Sequence, residues 1–152
     1  MNIERLKQVL IRHEGVEYKV YLDTEGLKTA GIGHLLIGAD SDLPVNTPVT
    51  KDQVNNWFAK DVQRSILLAQ QIIPNFSTLD EVRQELCVDL TFNLGNRLKQ
   101  FRKFLKAIEN KDFNEAANEL KDSKWYSQVK TRGDEVCESF RVGEYTFKIT
   151  LP

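Results

Sequence analysis

The hydrophobic period of this chain changes twice, and that change limits its fold more than any other feature. Over residues 3–13, Ile3, Leu6, Val9 and Leu10 recur at helical spacing. Asn2 is placed to cap this helix, Glu4 suits its positive N-terminus and Gly15 can end it. From Tyr18 the period drops to two: Tyr18, Val20 and Leu22 point one way, and Lys19, Tyr21 and Asp23 the other. The turn signal "DTEG" follows, and residues 28–34 return as a second strand, with room for a third short one. Gly31 and Gly33 within that return indicate a bend or a close approach of backbone. Residues 37–49 have the composition of a surface loop. Beyond residue 50 every apolar stripe is helical again.

That second helical region has legible ends. "TKDQ" places Thr50 as a cap with Gln53 three residues on, a capping box. Val54, Trp57, Phe58, Val62, Ile66 and Ala69 then share one face until Pro74 stops the helix. Ser77 reads as the cap of a helix through Leu79, Val82, Leu86 and Leu90 that ends near Gly95. Further helices are predicted at 97–109, 113–122 and 132–142, the last closed by Gly143. The predicted class is α+β, mostly α. A small N-terminal lobe with a β-hairpin, about 14–50, is joined by a long helix, about 51–70, to a larger helical lobe, about 70–152. The N-terminal helix belongs with the larger lobe, and the whole forms a single domain.

Composition excludes several functions. The chain of 152 residues is 41% hydrophobic and 28% charged with a net charge of −1, an ordinary globular balance. No apolar run approaches the roughly 20 residues of a membrane span. The N-terminus mixes charges into an amphipathic pattern unlike a secretory leader, so a cytoplasmic start is expected. The basic residues Arg97, Lys99, Arg102, Lys103 and Lys106 alternate with Leu98, Phe101, Phe104 and Leu105, which reads as the wet side of an amphipathic helix rather than a nucleic-acid surface. Cys87 and Cys137 fall on apolar helix sides and read as buried free thiols. With only two histidines and no metal knuckle, a structural zinc site is not expected.

The candidate chemistry lies within residues 12–36. Glu14 stands at a helix C-terminus, whose negative potential disfavours an anion and so suits a carboxyl that must keep and then donate a proton. The bland alternative is a solvated helix-end carboxylate. Asp23 stands at the mouth of a turn, where aspartate is common for local hydrogen bonding alone. Its company favours more: Thr29 returns across the hairpin, and a helix-end glutamate and hairpin aspartate can face each other across a cleft. Two carboxyls with a water between them are the apparatus of glycoside hydrolysis. His34 and Asp61 form a second pair, which we read as a structural ion pair: Asp61 interrupts an apolar stripe and needs a partner. No serine or cysteine has the setting of a nucleophile, and "GIG" lacks the rest of a phosphate loop.

The stretch "HEG…YLDTEGLKTAGIGHLL" resembles the opening of the phage-type lysozymes, the endolysins of T-even and related tailed phages. "TKDQVNNWFAKDV", "FNLG" at 92–95, "DFNEAANELKDSKWY" and the R-x-x-E of Arg132 and Glu135 extend the resemblance over most of the chain. It implies a muramidase that cuts the β-1,4 bond between N-acetylmuramic acid and N-acetylglucosamine in peptidoglycan and lyses the host cell. It implies Glu14 as general acid, Asp23 as the carboxylate that activates or positions water, and Thr29 as the residue that orients that water. Leu35 and Phe92 match positions lining the sugar cleft, and His34 with Asp61 matches a structural ion pair. No metal or organic cofactor is implied. The expected partner is the wall glycan, with no nucleic acid and no stable membrane insertion. A monomer is expected, which waits in the host cytoplasm for a pore-forming phage protein to give access to the wall. Phe104 departs from the family's small polar residue and Glu119 from an asparagine, so a polar contact on the far wall is expected to be lost or replaced by stacking. The net charge of −1 departs from the basic character of many relatives.

Overall fold

The computed structural model describes residues 1–150. Helix α1 (Ile3–Glu14) is capped by the Asn2 side chain, which accepts from the Arg5 N–H. It ends at Gly15, whose positive φ of 76° turns the chain out of the helix immediately after Glu14. Strands β1 (Glu17–Leu22), β2 (Lys28–Gly31) and β3 (His34–Leu35) form an antiparallel sheet in the order β1-β2-β3. The β1–β2 register shifts between Glu17 and Tyr21. Of the expected inward face only Val20 is buried; Tyr18 and Leu22 lie exposed, because this small sheet covers the core at one point. The segment read as a loop is more ordered than its composition suggests. It carries a 3₁₀ turn at Gly38–Asp42, and its end runs back along β1, with Val20 N–H on the Thr47 carbonyl and Val49 N–H on that of Tyr18.

Helix α2 (Lys51–Ile72) begins with the expected capping box: Gln53 N–H donates to Thr50 Oγ1 at 3.1 Å and Thr50 N–H to Gln53 Oε1 at 2.8 Å. Val54, Phe58, Val62 and Ala69 are buried along one face. The next helix starts later than expected. Phe76–Thr78 forms a 3₁₀ turn, and Asp80 rather than Ser77 caps α3 (Glu81–Leu94) by accepting from Arg83 N–H. The single helix predicted at 97–109 is two elements, a 3₁₀ stretch at Gly95–Gln100 and α4 (Arg102–Glu109), separated by the non-helical backbone of Phe101. After α5 (Phe113–Lys121) comes an unpredicted α6 (Lys124–Val129), capped by Ser123. Helix α7 (Thr131–Val142) closes at Gly143.

The core is one cluster that runs from Leu6, Val20 and Ala30 through α2 and α3 to Phe104, Trp125 and Phe140. Helix α3 passes through its middle, and every residue from Glu85 to Thr91 is buried. Two of those residues are carboxylates one turn apart, and each holds one end of α1. Glu85 accepts Arg5 in a two-pronged pair at 2.8 and 2.7 Å and the Asn2 N–H at 3.0 Å. Asp89 accepts His13 at 2.6 Å. A buried carboxylate is tolerated only when so compensated, and the compensation fixes α1, hence Glu14, against the helical lobe. Cys87 and Cys137 are buried free thiols, their proton affinities pushed up by burial.

Candidate active site

Three local features assemble the site. The first is the tip of α1. Glu14 is held from one side by Arg132 of α7, whose Nη1 lies 2.7 Å from Glu14 Oε1. On the other side is the β2–β3 turn, where Gly33 has a φ of +59° and a Cβ there would sit 2.7 Å from Glu14 Oε2. The glycine is therefore needed twice, for its backbone and for the space that Glu14 fills. The helix terminus is thus only part of this setting, because a guanidinium from α7 also sits against the carboxyl.

The second feature is the β1–β2 turn. Asp23 Oδ1 accepts the N–H groups of Glu25 at 2.9 Å and Leu27 at 2.8 Å, while its own N–H donates to the Leu27 carbonyl at 2.9 Å. Thr29 is 3% exposed, and its hydroxyl donates to that same carbonyl at 3.0 Å. Asp23 and Thr29 are thus fastened to one residue's backbone, that of Leu27, which orients both side chains. With its proton committed, the Thr29 oxygen is left as an acceptor. Tyr21 faces Thr29 in the register. Its phenol is pushed up by burial and by the charges of Glu14, Glu17 and Asp23, so the helix-end and hairpin carboxylates act on one side chain.

The third feature is a cavity of about 430 Å³ between the sheet and α2–α3, lined by Gly33, His34, Leu35, Trp57 and Phe92 among others. Leu35 is 45% exposed despite its apolar side chain, and Phe92 is half-buried, so both keep apolar surface available. The cavity stops short of Glu14, Asp23 and Thr29 but shares Gly33 with Glu14, and Leu35 pairs with Thr29 across the sheet. His34 Nδ1 lies 2.6 Å from Asp61, and its ring stacks on Trp57 with centroids 4.6 Å apart. This pair ties the sheet to α2, as a structural ion pair would. Phe104 does not offer a sugar-stacking face: it is 1% exposed and packs on Phe140, centroids 5.5 Å apart.

The support behind Glu14 was not anticipated from the sequence. Arg132, 8% exposed, also donates Nη2 to Asp89 Oδ1. Asp89 in turn holds His13 Nδ1, and His13 Nε2 lies 2.8 Å from Glu135, which Arg12 grips with Nε and Nη2. Burial works against a charged His13, but Asp89 and Glu135 outweigh it and hold its proton affinity above the ordinary imidazole value. Burial likewise works against ionised Asp89, but Arg132 and His13 hold it below the usual carboxylate range. The signals existed in the sequence: an aspartate inside the apolar run "CVDLTF", and an arginine and glutamate three apart on a helix.

A helix-end glutamate, an aspartate and threonine fixed by one turn, and an adjoining cleft with apolar and stacked aromatic walls form the candidate site of a glycosidase, the class to which the family match assigns the chain. The chain belongs to the phage lysozyme family, whose sequence pattern matches residues 11–138. It is 29% identical to probable T4-type lysozyme 1 of Dictyostelium discoideum over 93% of this chain and 96% of that protein. Two further relatives match only part of a longer chain. The pre-baseplate central spike protein Gp5 of Enterobacteria phage T4 is 28% identical over 86% of this chain and 26% of its own length. The peptidoglycan hydrolase gp36 of Pseudomonas phage phiKMV is 28% identical over 84% of this chain and 14% of its own.

Proposed function

We propose that this enzyme hydrolyses the β-1,4 bond between N-acetylmuramic acid and N-acetylglucosamine in bacterial peptidoglycan, by an inverting acid/base mechanism. The observation that carries the reading is the separate fixing of the two carboxyls, Glu14 by Arg132 and the helix end, and Asp23 with Thr29 by the Leu27 backbone. Glu14 gives its proton to the leaving glycosidic oxygen. Asp23 accepts a proton from water, Thr29 Oγ1 accepts that water's second hydrogen, and the oxygen is thereby aimed at the anomeric carbon. The same carboxylate offsets the positive charge that develops on the sugar ring. Inverting enzymes keep their carboxyls roughly 6.5–9.5 Å apart for this water. Leu35 and Phe92 supply apolar surface along the glycan.

The biological role that fits is host lysis: an endolysin acting as a monomer, held in the host cytoplasm until a pore-forming phage protein opens the membrane. Among the described residues, no helix is long and apolar enough to cross a membrane. Product analysis tests the chemistry. Digested peptidoglycan is expected to carry a reducing N-acetylmuramic acid end, released first as the α-anomer. An anhydro-muramic end would identify a transglycosylase instead, and a β-anomer first product would identify retention.

A further inference from the structure

The acid of this site is not supported by Arg132 alone. Arg132 is shared: one guanidinium nitrogen goes to Glu14 at 2.7 Å and another to Asp89, which is itself 1% exposed. Asp89 is shared in turn, accepting His13 at 2.6 Å through its other oxygen. The residue before the acid in sequence thus returns to it through space, His13 to Asp89 to Arg132 to Glu14. We propose that His13 and Asp89 are positioning residues for the acid, and that through Arg132 they set how much positive charge faces Glu14 and so the pH at which activity falls. This rests on the hydrolase reading, in which Glu14 must hold a proton to act.

The groups around the relay come from several elements. On α1 Arg12 and Glu14 flank His13. On α3 stands Asp89, with Glu85 one turn earlier. On α7 stand Arg132 and Glu135, and the segment after α7 lays the Phe147 ring 5.6 Å from the imidazole centroid. Tyr21 of β1 feels the charge of Glu14. With His13 charged, three cations (Arg12, His13, Arg132) balance three carboxylates (Glu14, Asp89, Glu135), and the relay has no net charge. The His13 side chain is 2% exposed and both its nitrogens meet carboxylates, at 2.6 and 2.8 Å, which requires the doubly protonated ring.

The two residues act with opposite sign. Removing the Asp89 charge leaves Arg132 to Glu14 alone, which favours loss of the acid's proton. Removing the His13 charge leaves the relay one negative charge in excess, which favours keeping it. A packing role gives no such opposition. The experiment is the pH–rate profile of peptidoglycan clearing by the wild type, Asp89→Asn, His13→Gln and the double variant, with folding checked by near-ultraviolet circular dichroism. The alkaline limb is expected to move down by on the order of 0.5–1 pH unit in Asp89→Asn, up by a similar amount in His13→Gln, and back towards the wild type in the double variant. Limbs that stay in place while rates fall, or that move in the same direction, overturn the proposal. Should a variant fail to fold, the wild type decides. The ¹³C carboxyl resonance of Glu14, assigned with Glu14→Gln, is expected to shift as the His13 ring titrates, and an unresponsive signal overturns the coupling. If the wild type clears nothing at any pH, the hydrolase reading fails, while the carboxyl titration still tests the relay independently of activity.

Discussion

At the scale of single residues, the site depends on contacts with little slack. Gly33→Ala places a methyl in the space of the Glu14 carboxylate and asks alanine for a φ of +59°. Displacement of Glu14 is expected to lower activity more than tenfold, with about 1–2 kcal/mol of stability lost to the backbone strain. Unchanged turnover in a purified variant would show that Glu14 has more freedom than its packing implies. The buried charges also fix a pH window for stability. Asp89 is held below its ordinary value, so its contribution is present above about pH 4 and is lost as the pH falls through the lowered value. His13 is held above its ordinary value, so its contribution is full below about pH 6.5 and is lost as the pH rises through the raised one. Urea midpoints are therefore expected to peak between these limits and fall on both sides. A midpoint that does not fall on the alkaline side would exclude a charged His13. Glu14, Asp23 and Thr29 stand out in the sequence as candidates because a helix end, a turn and the strand that returns from that turn each carry a functional side chain. The links of Arg132, Asp89 and His13 do not show in the sequence, because their partners lie as many as 122 residues away, and only the fold makes them neighbours.

At the scale of elements, local signals worked where the chain decides locally. The capping box at Thr50 formed as read, and Thr50→Ala is expected to cost about 1 kcal/mol by chemical denaturation, through one lost acceptor at the start of α2. A loss under about 0.3 kcal/mol would mean that the packing of Val54 and Phe58 alone fixes that helix end. Local signals failed where alternatives of similar strength lay close together. Ser77 and Asp80 both suit a cap, and Asp80 prevails because its carboxylate also pairs with Arg83 at 3.0 Å, while Arg83 reaches the Phe140 carbonyl on α7. The helix expected across 97–109 breaks at Phe101 because Leu98 and Phe104 are both buried, and a 3₁₀ stretch brings both to the core. Helix α6 went unread because its six residues are too few to show a period.

At the scale of the whole molecule, the charge is unevenly placed. The hairpin and the segment after it carry Glu17, Asp23, Glu25, Asp40 and Asp42 against Lys19 and Lys28. Arg97, Lys99, Arg102, Lys103 and Lys106 lie on the helical side, with Arg102 and Lys103 exposed. A net charge of −1 gives little overall attraction to an anionic wall, so steering falls to that basic side. The double reversal Arg102→Glu/Lys103→Glu is expected to slow clearing several-fold at low ionic strength, with the gap closing above roughly 0.3 M salt as screening sets in. A salt-independent gap would point instead to a direct contact. The α+β plan was legible from the two changes of hydrophobic period. The burial of α3 on all sides was not, since a helix without a polar face gives no orientation signal.

The role proposed for Glu14 is that of proton donor in a wall-cleaving glycosidase. The most direct measurement is turbidity loss of purified peptidoglycan with the wild type and with Glu14→Gln, which keeps the shape of the side chain and removes its acid. Clearing by the wild type and a loss of roughly a thousandfold or more in the folded variant are expected. Clearing by Glu14→Gln at a rate near that of the wild type would contradict the assignment of the acid, whatever the cleavage product.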